Sequence, residues 1–462
     1  MPLNLWDWFL TPPEKANVAR FTARIEDRSI TSKVMAPFWD YVAQFVPDHV
    51  APNVLSLSGL MCLVHAYYLC YMYMDQFPRL ITAAAVILAF AFQTLDSIDG
   101  RHARRIRNHS PIGELFAFCC ANVGTIFLSL VLCAIVGIKD TDLQWYIVQT
   151  AQVLFMHKHF SAFRNGVLRF SILTGPGEAL FAFNIIALVR AVVGLDWFYA
   201  LLHTLPIDFT LQQAALLLPK EHYSTRNGLV FCLLYRVIPA LTIQFVVGRA
   251  RSTHWDIICD GIFMSVVTSD LILATMAKRE LHPWVVVFAM LSLFHNLATF
   301  SVCLFYYVAV FADLCHEMNL PMFSVCRNVY ASGVFDLCHV GHMRLFENAL
   351  RFGTRLYVGV CNDEDCEVYK RRPIMTHKER CEAVAACKFV HEVIPNAPCF
   401  DLPVQFLLKH NIHVVALSPE YDTPDDQFYA GARELGITKV LPRTEGMSTS
   451  ELIRRIKDHP NL

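Results

Sequence analysis

His339 and His342 flank Gly341 in VYASGVFDLCHVGH, a segment that reads as a strand, a tight turn at Gly333 and then a helix start. At that position both imidazoles can donate to phosphoryl oxygens, and the helix N-terminus itself favours an anion. Gly341 lets a triphosphate approach the backbone closely. Further along, Lys370 in VYKRRPIM and Arg443 in RTEGMSTS add fixed positive charge, while Thr444, Ser448 and Thr449 bring hydroxyls to the opening of a last helix. This set suits attack by a phosphate oxygen on the α-phosphorus of a nucleoside triphosphate, with pyrophosphate leaving. Such a reaction needs no protein nucleophile, because positioning and charge stabilisation do most of the work. Zinc ligation is the alternative for a close histidine pair, but no third and fourth ligand of suitable spacing accompanies it.

A second group of reactive residues lies far upstream, in LDSIDGRHARRIRNHSPIGELFAFCCANVGT. Asp96 and Asp99 are three apart and share one helix face. Carboxylates at membrane depth are costly and usually functional. Gly100 permits a phosphate to reach the backbone, and Arg104 offers a bidentate donor. The bland alternative is a polar loop whose acids balance Arg101, Arg104, Arg105 and Arg107.

The elements that carry the two groups differ in kind. The chain has 462 residues, 55% hydrophobic and 17% charged, with a formal net charge of −1. That near-neutral balance argues against a nucleic-acid binder. Apolar runs long enough to span a bilayer are expected near 54–74, 78–95, 115–137, 144–163, 178–202, 227–247, 256–277 and 284–312. No cleavable signal peptide is expected at the acidic, Pro-Pro-containing start. Trp6, Trp8, Phe9 and Leu10 suit either the membrane interface or packing on the first domain. The 16 Cys are scattered without a CxxC pair, which reads as free thiols. From about Ser324 the pattern changes to short apolar strands (NVYASGVF, RLYVGVCN, HEVIP, HVVALSP, TKVLPRT) alternating with helices. This rhythm implies a parallel, doubly wound sheet whose ligands bind beyond the carboxyl ends of the strands. Asp336–His342, Asn362–Asp363 and Arg443–Thr449 fall at those ends. Arg380 reads as a further site residue or as a plain helix partner. The expected architecture has two domains, a polytopic α-helical membrane domain over 1–322 and an α/β, Rossmann-like domain over 323–462.

The upstream stretch resembles the signature of the CDP-alcohol phosphotransferases, DxxDGxxARx8GxxxDxxxD. Asp96, Asp99, Gly100, Ala103, Arg104 and Gly113 match it, and similarity to choline/ethanolamine phosphotransferases extends over most of 20–315. In that family the first three acids hold two divalent metals and the fourth is the base for the lipid hydroxyl. Here the third and fourth positions are Ala117 and Ala121. The resemblance therefore implies a residual CDP-alcohol site of Asn53, Asp96, Asp99, Gly100 and Arg104, with Asp96 and Asp99 as weak or vestigial metal ligands and the transfer chemistry lost.

The downstream motifs resemble the CTP:phosphocholine and CTP:phosphoethanolamine cytidylyltransferases over about 325–457, through GVFDLCHVGH, VGVCNDE, KERCEAV, VIPNAP and RTEGMSTS. The downstream domain is thus expected to be a nucleotidyltransferase, with His339, His342, Lys370 and Arg443 catalytic. Gly333, Phe335, Asp336, Gly341, Asn362, Arg380, Thr444, Ser448 and Thr449 would bind CTP, accompanied by Mg2+. The choline branch usually has an aromatic and a His-Asp pair where Cys399, Leu417 and Ser418 stand, which leaves the alcohol open, with Tyr421, Asp422, Asp425, Asp426 and Tyr429 as the remaining candidates to hold a cationic head group. The expected whole is a membrane-tethered, homodimeric enzyme making CDP-choline or CDP-ethanolamine at an endoplasmic reticulum or Golgi membrane. Its C-terminal domain would be cytosolic, its partners CTP, a phospho-amino-alcohol and the bilayer, with no nucleic acid. The rival readings are a bifunctional enzyme that also feeds diacylglycerol, and a non-catalytic scaffold.

Overall fold

The computed structural model describes residues 9–170, 175–194, 253–282, 296–318, 320–369, 371–423, 425–442 and 448–459. They form two compact units, Met1–Ser324 and Val325–Leu462.

In the first unit, proline repeatedly opens a helix, where its missing N–H costs nothing. It does so in α1 (Pro12–Ala19), after which come β1 (Ile25–Asp27) and α2 (Ile30–Ala43). The same signal opens α3 (Pro52–Tyr73), α4 (Pro78–Arg105) and α5 (Pro111–Ile135), the last also capped by Ser110, whose hydroxyl accepts from the Gly113 N–H at 3.1 Å. After α6 (Thr141–Asn165), which ends on Gly166 with φ +68°, come β2 (Leu168–Phe170), α7 (Pro176–Val193), α8 (His254–Ala277) and α9 (Asn296–Glu317).

Among the described residues, α3, α4, α5, α8 and α9 are long and apolar enough to cross a membrane. The expected span near 144–163 forms as helix α6 and the described part of the one near 178–202 as α7, residues 195–202 lying outside the described ones, and neither helix is among these five. The expected span at 227–247 and the beginning of the one at 284–312 lie outside the described residues. Of these five helices, α8 is the most deeply buried. Its buried acids Asp260 and Asp270 are accordingly paired. Asp260 accepts from Trp145 Nε1 at 2.9 Å, and Asp270 accepts from Arg279 at 2.6 Å and Tyr306 Oη at 3.0 Å. Phe9 and Leu10 are buried in the same core, Phe9 edge-on to Tyr306, so packing rather than the interface claims them. The parallel β1–β2 pair, which joins Ile25 to Leu168, has no counterpart among the expected elements.

In the second unit, β3 (Asn328–Gly333), α10 (Val340–Leu350), β4 (Arg355–Val360), α11 (Asp363–Tyr369), α12 (His377–Ala385) and β5 (Glu392–Pro395) are followed by α13 (Val404–Lys409), β6 (Val414–Leu417), α14 (Ala430–Glu434), β7 (Thr438–Val440) and α15 (Thr449–Lys457). The five strands are all parallel in the order β5-β4-β3-β6-β7, a doubly wound sheet. Alternation along β3 sends Val329 and Ala331 to one face with Phe346, Leu356 and Val358, and Tyr330 to the other with Leu402, Leu407 and Val415. Gly359 is required beside Tyr330, since a Cβ there would lie 2.1 Å from the phenol oxygen. The strand order reverses between β3 and β6, so the crevice at their carboxyl ends is where a ligand belongs.

Candidate functional site

The segment leaving β3 carries the histidine pair. Phe335 and Leu337 have φ of 53° and 47°, left-handed values that non-glycine residues adopt at a cost. The Phe335 ring folds back over Gly333, where a Cβ would be 3.0 Å from it, and packs on Phe346 at 5.1 Å and edge-on to His342 at 5.3 Å. His339 is the N-cap of α10, and its Nδ1 accepts from the Gly341 N–H at 3.1 Å. The His339 N–H in turn donates to Nδ1 of His342 at 3.4 Å, and the two rings stack 3.9 Å apart. With each Nδ1 acting as acceptor, the ring proton of each neutral imidazole sits on Nε2. Burial, and then the neighbouring His339, push the His342 pKa down to about 4, although Asp336 opposes this. Burial also lowers His339. Near pH 7 the pair thus presents two neutral, oriented N–H donors.

The opening of α15 meets this pair. Thr449 Oγ1 lies 3.4 Å from His339 Nε2 and donates to the Asp336 carbonyl at 3.3 Å, while Ser448 caps the helix by accepting from the Glu451 N–H at 3.1 Å. Two helix N-termini therefore converge on His339. Lys370, Arg443 and Thr444 lie outside the described residues.

Three expected CTP contacts have their side chains engaged with the protein. Asn362 caps α11 through Asp365, accepting from its N–H at 2.6 Å and donating to its carboxylate at 3.0 Å. Buried Asp336 accepts from the backbone N–H of Ile374 at 3.0 Å and of Met375 at 3.0 Å. Arg380, fully buried, donates to the carbonyls of Val334 at 2.6 Å and Cys361 at 2.9 Å and to Asp363 at 2.6 Å. Asp363, expected with Asn362 at the strand end, also accepts from the His377 N–H at 3.0 Å. Of the positions bearing on the alcohol, Cys399 is buried with Cys361 and Cys366, and Leu417 is buried in the core. Tyr429 is buried with its hydroxyl 3.2 Å from that of Ser332, and Asp426 accepts from Arg433 at 2.9 Å.

In the first unit, a cavity of about 190 Å³ is lined by Asn53, Asp99, Gly100, Arg104, Gly113 and Ala117, among others. Asp96 is not among its lining residues. Asp99 is buried and accepts from Ser56 Oγ at 2.6 Å and from the Gly100 N–H. Glu114, the other acid on the cavity wall, is paired with His109 at 2.8 Å. The Asn53 amide donates to the Met322 carbonyl at 2.8 Å. Ala117 presents only a methyl, and among the described residues no group of three His, Cys, Asp or Glu is arranged to hold a metal ion. The residues present do not fit a two-metal centre.

A fold with a bundle of membrane-length helices followed by a nucleotide-binding sheet defines a class, and comparison with known proteins makes it specific. Residues 49–217 match the CDP-alcohol phosphatidyltransferase family and residues 330–455 the cytidylyltransferase-like family. Choline/ethanolaminephosphotransferase 1 of Arabidopsis thaliana is 32% identical over 181 residues, 37% of this chain and 45% of that protein. Cholinephosphotransferase 1 of Danio rerio is 25% identical over 286 residues, 55% of this chain and 75% of that protein. Choline-phosphate cytidylyltransferase 2 of Arabidopsis thaliana is 45% identical over 126 residues, 26% of this chain and 41% of that protein. The chain spans less than half the length of either Arabidopsis protein. It is a multi-pass membrane protein that carries a CDP-alcohol phosphatidyltransferase domain followed by a cytidylyltransferase-like domain.

Proposed function

We propose that this chain is a membrane-tethered cytidylyltransferase that transfers CMP from CTP to phosphocholine or phosphoethanolamine for phospholipid synthesis. The observation that carries the reading is the convergence of two helix N-termini on the stacked His339–His342 pair. A phosphate oxygen of the alcohol attacks the α-phosphorus as the bond to the bridging oxygen breaks, and that oxygen leaves with the pyrophosphate. The Nε2–H groups of His339 and His342 donate to the phosphoryl oxygens where charge gathers. Lys370 and Arg443 supply the full positive charge that neutral imidazoles do not. Gly333, Phe335 and Gly341 shape the approach, and Thr444, Ser448 and Thr449 hold the triphosphate. Mg2+ arrives as the counter-ion of CTP, a component of the substrate rather than a resident ion.

The membrane domain serves as an anchor and as a docking surface for CDP-alcohol, through Asn53, Asp99, Gly100 and Arg104. Its transferase chemistry is lost with the carboxylates that Ala117 and Ala121 replace. The membrane is that of the endoplasmic reticulum or Golgi, the C-terminal domain faces the cytosol where CTP is found, and the enzyme is a homodimer. The bifunctional alternative draws support from the same cavity, which keeps Asp99, Gly100 and Arg104 on one wall. The test is pyrophosphate release by the purified full chain given CTP with either phospho-alcohol. His342→Ala is expected to lower turnover by at least ~100-fold, the scale of one lost charge-stabilising donor. Wild-type turnover in that variant would remove the assignment.

A further inference from the structure

We propose that Asp336 is a positioning residue that holds three parts of the nucleotide site in register without touching the nucleotide. The inference rests on the cytidylyl-transfer reading of that site. Its carboxylate is buried and takes the backbone N–H groups of Ile374 and Met375, 38 and 39 residues further on. Its carbonyl takes the Thr449 hydroxyl, from the start of α15. Its own backbone lies between Phe335 and Leu337, both left-handed, three residues ahead of the α10 cap His339. One residue therefore ties together the histidine turn, the 371–376 connection that follows Lys370, and the hydroxyl-bearing end of α15.

The bonding pattern accounts for the acid. Backbone N–H groups from two successive residues converge on both carboxylate oxygens. An amide offers one acceptor oxygen and turns an NH2 group toward one of these donors. The arrangement continues on the far side of the connection, where Thr376 caps α12 with Glu379 and Arg380 on α12 returns to the Val334 carbonyl. The turn after β3 and the start of α12 are thus clasped at two points, Asp336 at one and Arg380 at the other. Leu337 sits between this clasp and the histidines, so a shift at Asp336 is passed directly to the α10 cap.

A misplaced charge or donor weakens the transition state more than the ground state. Asp336→Asn in the full-length, detergent-solubilised protein is therefore expected to lower kcat at least ~10-fold while KM for CTP stays within about threefold. Hydrogen exchange at Ile374 and Met375 should quicken, with the exchange of β3 and β4 unchanged. Asp336→Glu, which keeps the charge, should restore part of kcat. A raised KM for CTP at unchanged kcat would make Asp336 a ligand contact and overturn the proposal. Wild-type kcat in the Asn variant, or global unfolding of both variants, would also overturn it. If the wild-type chain releases no pyrophosphate, the functional reading fails instead, while the exchange experiment still tests the clasp.

Discussion

At the scale of single residues, the proposed mechanism has the histidine pair work through hydrogen-bond donors rather than through charge. His342 has a folded pKa of about 4 against an ordinary value of 6.5, so the folded state binds its proton less readily than the unfolded chain. The stability this contributes is complete above pH 6.5 and is lost as pH falls from there toward 4. At one pKa unit per 1.36 kcal/mol the full effect is on the order of 3 kcal/mol. Thermal unfolding between pH 7.5 and 4.5 should show that decline, and His342→Ala should flatten it. Turnover should show no imidazole inflection near pH 6.5; a rise in kcat on acidification through that value would mean that the charged form is the catalytic one. The histidines, Gly333 and Thr449 were legible as a site because their spacing states a geometry. Asp336, Asn362 and Arg380 were less so. An acid or guanidinium beyond a strand end suits a phosphate ligand and a backbone clasp equally, and the partners that decide it, Ile374 or Val334, are distant in sequence.

At the scale of elements, the parallel sheet could be read from apolar runs alternating with helical ones, since both faces of such a sheet are covered. The three-residue strands β1 and β2 could not, because neither has a pattern of its own and their pairing joins Ile25 to Leu168 across five intervening helices, α2 to α6. The span expected near 144–163 became α6, whose buried Gln144 and Gln152 donate to Ile138 O and Asn122 O inside the bundle. In the second unit the clasp from α12 is the element-scale feature of most consequence. Arg380 joins the ends of β3 and β4 to Asp363, and removing it leaves the Val334 and Cys361 carbonyls without this donor, while Asp363 keeps the His377 N–H. Arg380→Met should destabilise this unit by roughly 2 kcal/mol, the scale of leaving buried acceptors without a donor, since the Asp363 carboxylate is itself well exposed. Urea unfolding followed by a probe in the second unit measures this, and a change below ~1 kcal/mol would show that the clasp is dispensable.

At the scale of the whole molecule, a membrane domain and a cytidylyltransferase-like domain are joined in one chain, and in the proposed reading only the second carries out its chemistry. The first keeps a cavity with Asp99 and Arg104 on its wall, but Ala117 presents a methyl where a metal ligand would stand. Both domains were recognisable from motifs, because phosphate chemistry demands fixed residue types at fixed spacing. What the motifs could not convey is that Asp96 does not line the cavity, that Asp99 is held by Ser56, and that Glu114 is taken by His109. The most direct measurement gives the full-length protein in liposomes containing diacylglycerol radiolabelled CTP with unlabelled phosphocholine or phosphoethanolamine, and in parallel the radiolabelled CDP-alcohol. The account predicts labelled CDP-alcohol from the first mixture and no labelled phospholipid from the second. Phospholipid formed from CDP-alcohol and abolished by Asp99→Ala, or no CDP-alcohol formed from CTP, would contradict it.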